Sequence, residues 1–439
     1  MHRLLDCAHA LSLSGAFVQE AGLTDQAVEV VSLLERSRND WLAEAHGVGE
    51  YLRDRARPAA GGAAVWLKPS GPEDTERAPL ALGPYLYTGS TGISLFLAAL
   101  GHSLRDDGWR DLARQSLVPI RRHLRALIAS PSAAGRTPLK LGGLVGLGAL
   151  LYSFARIGVW LDEPALLEEA LGLVALITPE RIENDLYLDL MYGSAGAILG
   201  LLVLDREAAK LWPGEERPLE RAVACGEHLL RRRVAAPGEP RAWPFRGGPP
   251  RCGLAHGAAG ILYALALLAD RTEREDFRQA AREGLEFERL LYAPEEQNWR
   301  PSPAQEGPTL AAWCNGAPGI ALSRLRLAGT STADGEIEEE LVHALAKTRG
   351  IEESQIDFLC CGNMGRADIL LDAARELGRD DLLARAQEVA ARVAGRTAFR
   401  DAPPDDPDYR PSFFRGAAGI GYAFLRLAEP SLPSVLILE

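Results

Sequence analysis

Apolar residues in this chain gather in long blocks, and each block opens on two glycines spaced G-x-x-G. The blocks read "YTGSTGISLFLAAL", "LGGLVGLGALLYSF", "MYGSAGAILGLLVL", "AHGAAGILYALALL", "CNGAPGIALSRLRL", "CCGNMGRADILLDA" and "FRGAAGIGYAFLRL". Their first glycines are Gly89, Gly143, Gly193, Gly257, Gly316, Gly362 and Gly416, so the copies recur every 46 to 64 residues. A single G-x-x-G carries no information, but seven in near-regular register mark a repeat architecture. Each block has helical length and is apolar nearly all round, which predicts a buried helix. The stretches between, such as "DDGWRDLARQSLVPIRRHLRALI" and "EDFRQAAREGLEFERLL", carry charged faces and predict outer helices.

Two helices and two loops fit a unit of this length. The predicted fold is therefore all-α: an α/α toroid, with seven inner helices each preceded by a G-x-x-G turn and surrounded by outer ones. An open solenoid is the alternative, although solenoids commonly carry distinct polar caps. Pro/Gly-rich segments at 130 to 138, 235 to 250, 293 to 308 and 401 to 411 precede several glycine pairs. Long loops at one kind of junction gather at one end of a ring, together with the inner-helix N-termini, and that end is the expected functional mouth. Residues 1–80 lack the repeat. They read as helices followed by an extended connector that docks on the ring, with the toroid spanning 81–439. The opening "MHRLLDCAHALSLSGAFV" loosely imitates a signal peptide, but Asp6 and His9 interrupt it and a helix is expected instead.

The chain has 439 residues, 47% of them hydrophobic, enough for a large core. Its net charge of −12 and pI near 5.3 argue against nucleic acid or an anionic membrane as the main partner. No run reaches the ~18 apolar residues of a membrane span. Six cysteines make no disulfide scaffold at this length, so a reducing, cytoplasmic setting is expected.

Half of those cysteines sit one or two residues before a repeat glycine in consecutive copies: Cys314 before Gly316, and Cys360 and Cys361 before Gly362. Equivalent positions of neighbouring ring units lie close together, so these thiols are expected to converge. Three thiolates with a fourth position open suit zinc. Free cysteine otherwise packs as a small hydrophobe. That is the default for Cys7 and Cys225, and Cys252 has no repeat register behind it. His256 occupies the equivalent slot of the fourth copy, as a further ligand, an acid/base or a turn-capping imidazole. Asp189, in an apolar stretch four residues before Gly193, needs a partner; His256 is one option and a helix cap another. Asn315 and Arg415 are weaker polar candidates.

Together the seven glycine-marked repeats, "GLAHGAAGI", "WCNGAPGI" and "LCCGNMGRADILL" resemble the lanthionine synthetase C-like cyclases over roughly residues 80 to 430. The stretch from "GGAAVWL" to "YTGSTGISLFLAALG" is similar to the entry into the cyclase half of class II lanthipeptide synthetases. Most of that family has Cys-His-Gly where this chain has Cys360-Cys361-Gly362, which resembles the three-cysteine subgroup. The resemblance implies a zinc-dependent enzyme that closes lanthionine and methyllanthionine rings. A precursor-peptide Cys binds the open zinc position and attacks dehydroalanine or dehydrobutyrine. It implies Cys314, Cys360 and Cys361 as metal ligands for one Zn2+, and His256 and Asp189 as catalytic residues. The partner it implies is a dehydrated precursor peptide from a separate or fused dehydratase. Leu310 stands where some relatives carry a functional arginine, and Asn315 where Tyr or His is usual. Three thiolates bring a zinc site to formal −1, predicting a more reactive bound sulfur than a two-Cys, one-His site. A non-catalytic, zinc-containing peptide-binding relative and an α/α-toroid glycosidase are the rival readings; the second needs two facing carboxylates.

Overall fold

The computed structural model describes residues 36–68, 80–130, 139–304, 309–396 and 410–439. The expected N-terminal helix with Cys7, and parts of the connector and the Pro/Gly-rich loops, lie outside those residues. Seven inner helices, each starting just after a glycine, run through the repeats: α2 (Ser90–Leu104), α4 (Leu147–Leu161), α7 (Ser194–Ala209), α9 (Ala258–Thr272), α11 (Ala317–Leu327), α13 (Asn363–Leu377) and α15 (Ala417–Ala428). Each packs on the next, and α15 packs back on α2, so the ring closes. The fold is an α/α toroid.

The outer helices are α3 (Asp107–Ala129), α5 (Pro164–Val174), α8 (Arg217–Arg231), α10 (Glu275–Arg289), α12 (Ile337–Gly350) and α14 (Asp380–Ala394), each packed on the inner helix before it. A short α6 (Pro179–Glu183) lies between the second and third inner helices in sequence. The seventh outer position is filled from the other end of the chain. Helix α1 (Arg38–Asp54) packs on α15 and buries Trp41, Ala45, Val48 and Leu52, with Trp41 stacked on Phe424 at 5.9 Å. Its start is fixed by a capping box between Ser37 and Asp40. The ring thus joins N-terminal and C-terminal segments into one layer.

The connector after α1 is less extended than its composition predicts. Arg57–Ala59 (β1) and Ala63–Val65 (β2) pair as an antiparallel hairpin. Its turn uses Gly61 and Gly62 at φ of 77° and 72°, a region open to glycine and strained for other residues. Trp66, fully buried, then donates its indole N–H to the Leu52 carbonyl at 2.8 Å. A second, minimal pair, β3 (Tyr292–Ala293) with β4 (Asn298–Trp299), folds the loop after α10.

Inner and outer helices differ as their patterns predict. On α9 most residues are buried, whereas α10 buries Phe277, Ala280, Ala281, Gly284 and Leu285 and turns its charges outward except Glu288, which pairs with the buried Arg324. The glycine pair has two separate jobs. In six of the seven repeats the first glycine is the N-cap of the inner helix. The second, in the first turn, leaves room for the loop that folds over it. A Cβ on Gly365 would lie 1.8 Å from the Leu359 carbonyl oxygen, and one on Gly419 would lie 1.9 Å from that of Phe413. The second repeat departs from the predicted register: its N-cap is Gly146, not Gly143, and Ala149 takes the place of the second glycine.

The C-terminal tail runs back into the ring. Leu432 and Val435 to Leu438 are buried, Trp313 donates its indole N–H to the Leu436 carbonyl at 2.9 Å, and Arg156 reaches the Glu439 carbonyl at 2.8 Å. A cavity of about 310 Å³ beside Tyr263, Arg326 and Glu439 lies toward the C-terminal halves of the inner helices, away from the glycine-capped turns. Among the described residues no helix is long and apolar enough to cross a membrane.

Candidate active site

The turns that start the inner helices are stitched to one another by one recurring bond. The residue two before each helix-capping glycine sends its backbone N–H to the carbonyl of the same residue in the next turn. Tyr87 bonds Leu144, Leu144 bonds Met191, Met191 bonds Ala255, Ala255 bonds Cys314, Cys360 bonds Phe414, and Phe414 bonds Tyr87, at 3.0 to 3.3 Å. The link that would run from Cys314 to Cys360 is absent among the described residues. There the two thiols meet instead.

This register sorts the side chains. At the position two before the glycine, Leu144, Met191, Ala255, Cys360 and Phe414 are buried. At the next position Tyr192, His256, Asn315 and Cys361 are half-buried and Arg415 is exposed, so the mouth is lined by this second set. The predicted thiols converge. Cys360 neighbours both Cys314 and Cys361 closely enough for the three thiols to shift one another's titration, and His256 is near enough to Cys314 for its charge to act there. The neighbouring Cys360 holds the Cys314 and Cys361 thiols below the ordinary range, helped at Cys361 by the charge of Arg415. The same two neighbours, with burial, push the Cys360 thiol up.

Asp189 and His256 also meet. His256 Nδ1 lies 2.9 Å from Asp189 Oδ2, while Asp189 Oδ1 accepts the Tyr192 backbone N–H at 2.7 Å. Asp189 is 1% exposed, and burial raises its pKa against the opposing pull of His256. The helix-cap alternative for Asp189 belongs to a neighbour: Asp185 Oδ2 accepts from the backbone N–H and hydroxyl of Ser194, both at 2.7 Å. Tyr192 stacks on the His256 ring at 5.6 Å, and Phe245 meets it edge-on at 5.6 Å. These contacts fix the imidazole plane, and among the described residues none is hydrogen-bonded to Nε2.

The profile of lanthionine synthetase C-like proteins matches residues 81–437. This chain belongs to the lanthionine synthetase C-like family. Among solved structures, nisin cyclase aligns at 16% identity with a TM-score of 0.57, over 81% of this chain and 92% of that one. At that identity the likeness speaks for the shared fold. A sugar epimerase from a ruminal bacterium aligns at 12% identity and TM-score 0.44, covering 72% of this chain and 100% of that one. Unsaturated glucuronyl hydrolase from Bacillus sp. GL1 aligns at 15% and 0.41, covering 89% and 96%. Those two bear on no functional point.

Within this lanthionine synthetase C-like toroid, two site neighbours escaped sequence reasoning. Tyr87, in the first turn, donates its hydroxyl to Cys360 Sγ at 3.0 Å. Burial and the adjacent Cys360 sulfur raise the Tyr87 pKa, which keeps it a donor. Tyr192 is the other. Both stand at the two positions before a capping glycine, so the repeat register is the signal that finds them. Cys252 stands apart: it is buried and its thiol faces Glu288 at 3.2 Å. Cys225 is buried and free, and Leu310 is 53% exposed.

Zinc is the metal the family implies, and the donor set fits it in chemistry. Among the described residues no three His, Cys, Asp or Glu side chains already stand at metal-binding spacing. The thiols are instead neighbours, and those of Cys314 and Cys361 are held below the ordinary range, toward the thiolate that binds a soft cation. Asn315 Oδ1, beside them, is a buried acceptor without a partner.

Proposed function

We propose that this protein is a zinc-dependent cyclase that forms lanthionine and methyllanthionine thioethers. The substrate is a dehydrated peptide carrying cysteine. The observation that carries this reading is the meeting of Cys314, Cys360 and Cys361 with the Asp189–His256 pair at one mouth. Cys314, Cys360 and Cys361 would hold the metal, which supplies Lewis acidity that keeps a peptide thiol ionised at neutral pH. The peptide sulfur forms a bond to the β-carbon of dehydroalanine or dehydrobutyrine, and the C=C electron pair moves toward the carbonyl. His256 delivers a proton from Nε2 to the α-carbon, so the proton lost from the thiol is regained at carbon. Asp189 holds the imidazole by Nδ1 and stabilises its protonated form. Tyr87 supports the Cys360 sulfur, as partners behind metal ligands do. A glycosidase needs a second carboxylate facing the first; Asp189 faces a histidine instead.

The test is to incubate zinc-loaded protein with a dehydrated, Cys-containing peptide, with and without chelator, and to count remaining peptide thiols by alkylation and mass spectrometry. Metal-dependent thiol loss at constant peptide mass supports the reading, and unchanged thiols with loaded protein overturn it. His256→Ala is expected to lower kcat by about 10²- to 10⁴-fold while zinc content is retained.

A further inference from the structure

In a chain with 60 acidic and 48 basic residues, the surface beside His256 has the opposite sign. Lys140 Nζ lies over the rings of Tyr187 and Tyr192, at 4.6 and 4.1 Å. The Arg246 guanidinium lies 5.5 Å from the Tyr187 ring, and that of Arg251 lies 5.1 Å from Phe245. Tyr187 packs on Tyr192 at 5.1 Å, and Tyr192 and Phe245 both touch His256. The three cations therefore sit on one aromatic shelf that ends at the candidate acid. Among the described residues none of the three has a carboxylate within ion-pairing distance. Many other arginines are matched, as Arg121 is with Glu169 at 2.7 Å and Arg274 with Glu227 at 2.8 Å, although among the described residues Arg366 and Arg375 bond only to Asn363 and the Arg426 carbonyl.

Neither nearby carboxylate forms an ion pair with these cations. Asp185 is buried and accepts from Ser194 and from the Tyr187 backbone, and Asp189 is committed to His256 and Tyr192. A ring face holds a cation in place through its quadrupole but leaves the net charge intact. Such a shelf is shaped for peptide aromatics and aliphatics and charged for carboxylates.

We propose that the Lys140–Arg246–Arg251 shelf binds an acidic segment of the peptide substrate, next to the residues that react. This rests on the cyclase reading for the identity of the substrate, and it says which peptides the mouth prefers. Two labelled peptides test it, identical except that four glutamates beside the cysteine are glutamines in the second. Both are made with serine in place of dehydroalanine for binding and with dehydroalanine for turnover.

Fluorescence anisotropy on the zinc-loaded protein is expected to show the glutamate peptide binding at least about tenfold more tightly at low salt, with the difference shrinking as salt is raised. In turnover the preference is expected in KM and not in kcat. Lys140→Gln with Arg246→Gln is expected to remove most of the discrimination between the two peptides. Equal binding of the two by the unmodified protein at low salt overturns the proposal, and so does a preference that survives the double substitution in folded protein. The binding arm needs no reaction. Cyclisation without a charge preference would sink the shelf and leave the cyclase; a preference without cyclisation would do the reverse.

Discussion

Six of the seven turn-to-turn junctions at the mouth are closed by a backbone hydrogen bond, and at the seventh two thiols stand as neighbours. The contrast is sharp because the register is shared. Ala255 and Cys314 hold equivalent positions, yet Ala255 contributes only its backbone, while Cys314 turns a side chain to Cys360. A backbone bond is available to every residue type but proline and does not depend on protonation or on a bound metal. A thiol junction depends on protonation and on what the sulfurs bind. The ring is uniform in architecture and has one junction whose strength is chemically adjustable.

The largest expected effect comes from attacking that junction. Cys360→Ala removes the sulfur shared by both neighbours. It is expected to abolish stoichiometric zinc binding and lower cyclisation by more than about 100-fold, the upper end for losing a residue that merely supports a ligand. In unmodified protein, chelation is expected to speed amide exchange in residues 309–316 and 354–362. The size is about 100-fold relative to metal at one hundred times its Kd. Exchange at the other turns should hardly move. Equal acceleration at all seven would erase the distinction between the junctions.

A smaller effect is expected from Tyr87→Phe, which deletes the hydrogen bond to Cys360 and keeps the ring that stacks on Phe414 at 5.2 Å. Zinc affinity, measured by competition with a chelating dye, is expected to fall by roughly 10- to 100-fold with little change in Tm. An unchanged affinity would mean that the junction is tuned by the cysteines alone.

The smallest effect concerns the Asp189–His256 pair, which lies between stitched turns. Burial raises the Asp189 pKa above its ordinary value of 3.8, so folding favours the protonated carboxyl. Its contribution is fully present below that value and is lost as pH rises through the raised folded value. Asp189→Asn is expected to match the native Tm in acid and to exceed it at neutral pH, while cyclisation slows. A variant less stable than native at neutral pH would show that the ion pair with His256 outweighs the cost of burial.

Much of the site was legible because repetition converts sequence position into spatial position. Cys314, Cys360 and Cys361 meet because adjacent ring units superimpose equivalent residues, and the same rule brings His256 beside them. Legibility failed where the repeat itself is irregular. In "LGGLVGLG" four glycines compete, and only packing selects Gly146 as the cap, because Gly143 is pressed against Gly196. It failed also for Tyr87, whose partner stands 273 residues away across the closure of the ring.

The sequence by itself determined the inner and outer helices and the ring of seven, since periodicity and a glycine pair are local instructions repeated along the chain. Tertiary structure alone decided that α1 completes the outer layer over α15, that Asp185 caps a helix and thereby leaves Asp189 to His256, and that one junction lacks its backbone bond. Those outcomes depend on which distant segments compete for the same space and the same hydrogen bonds, and that competition is settled only when the ring closes.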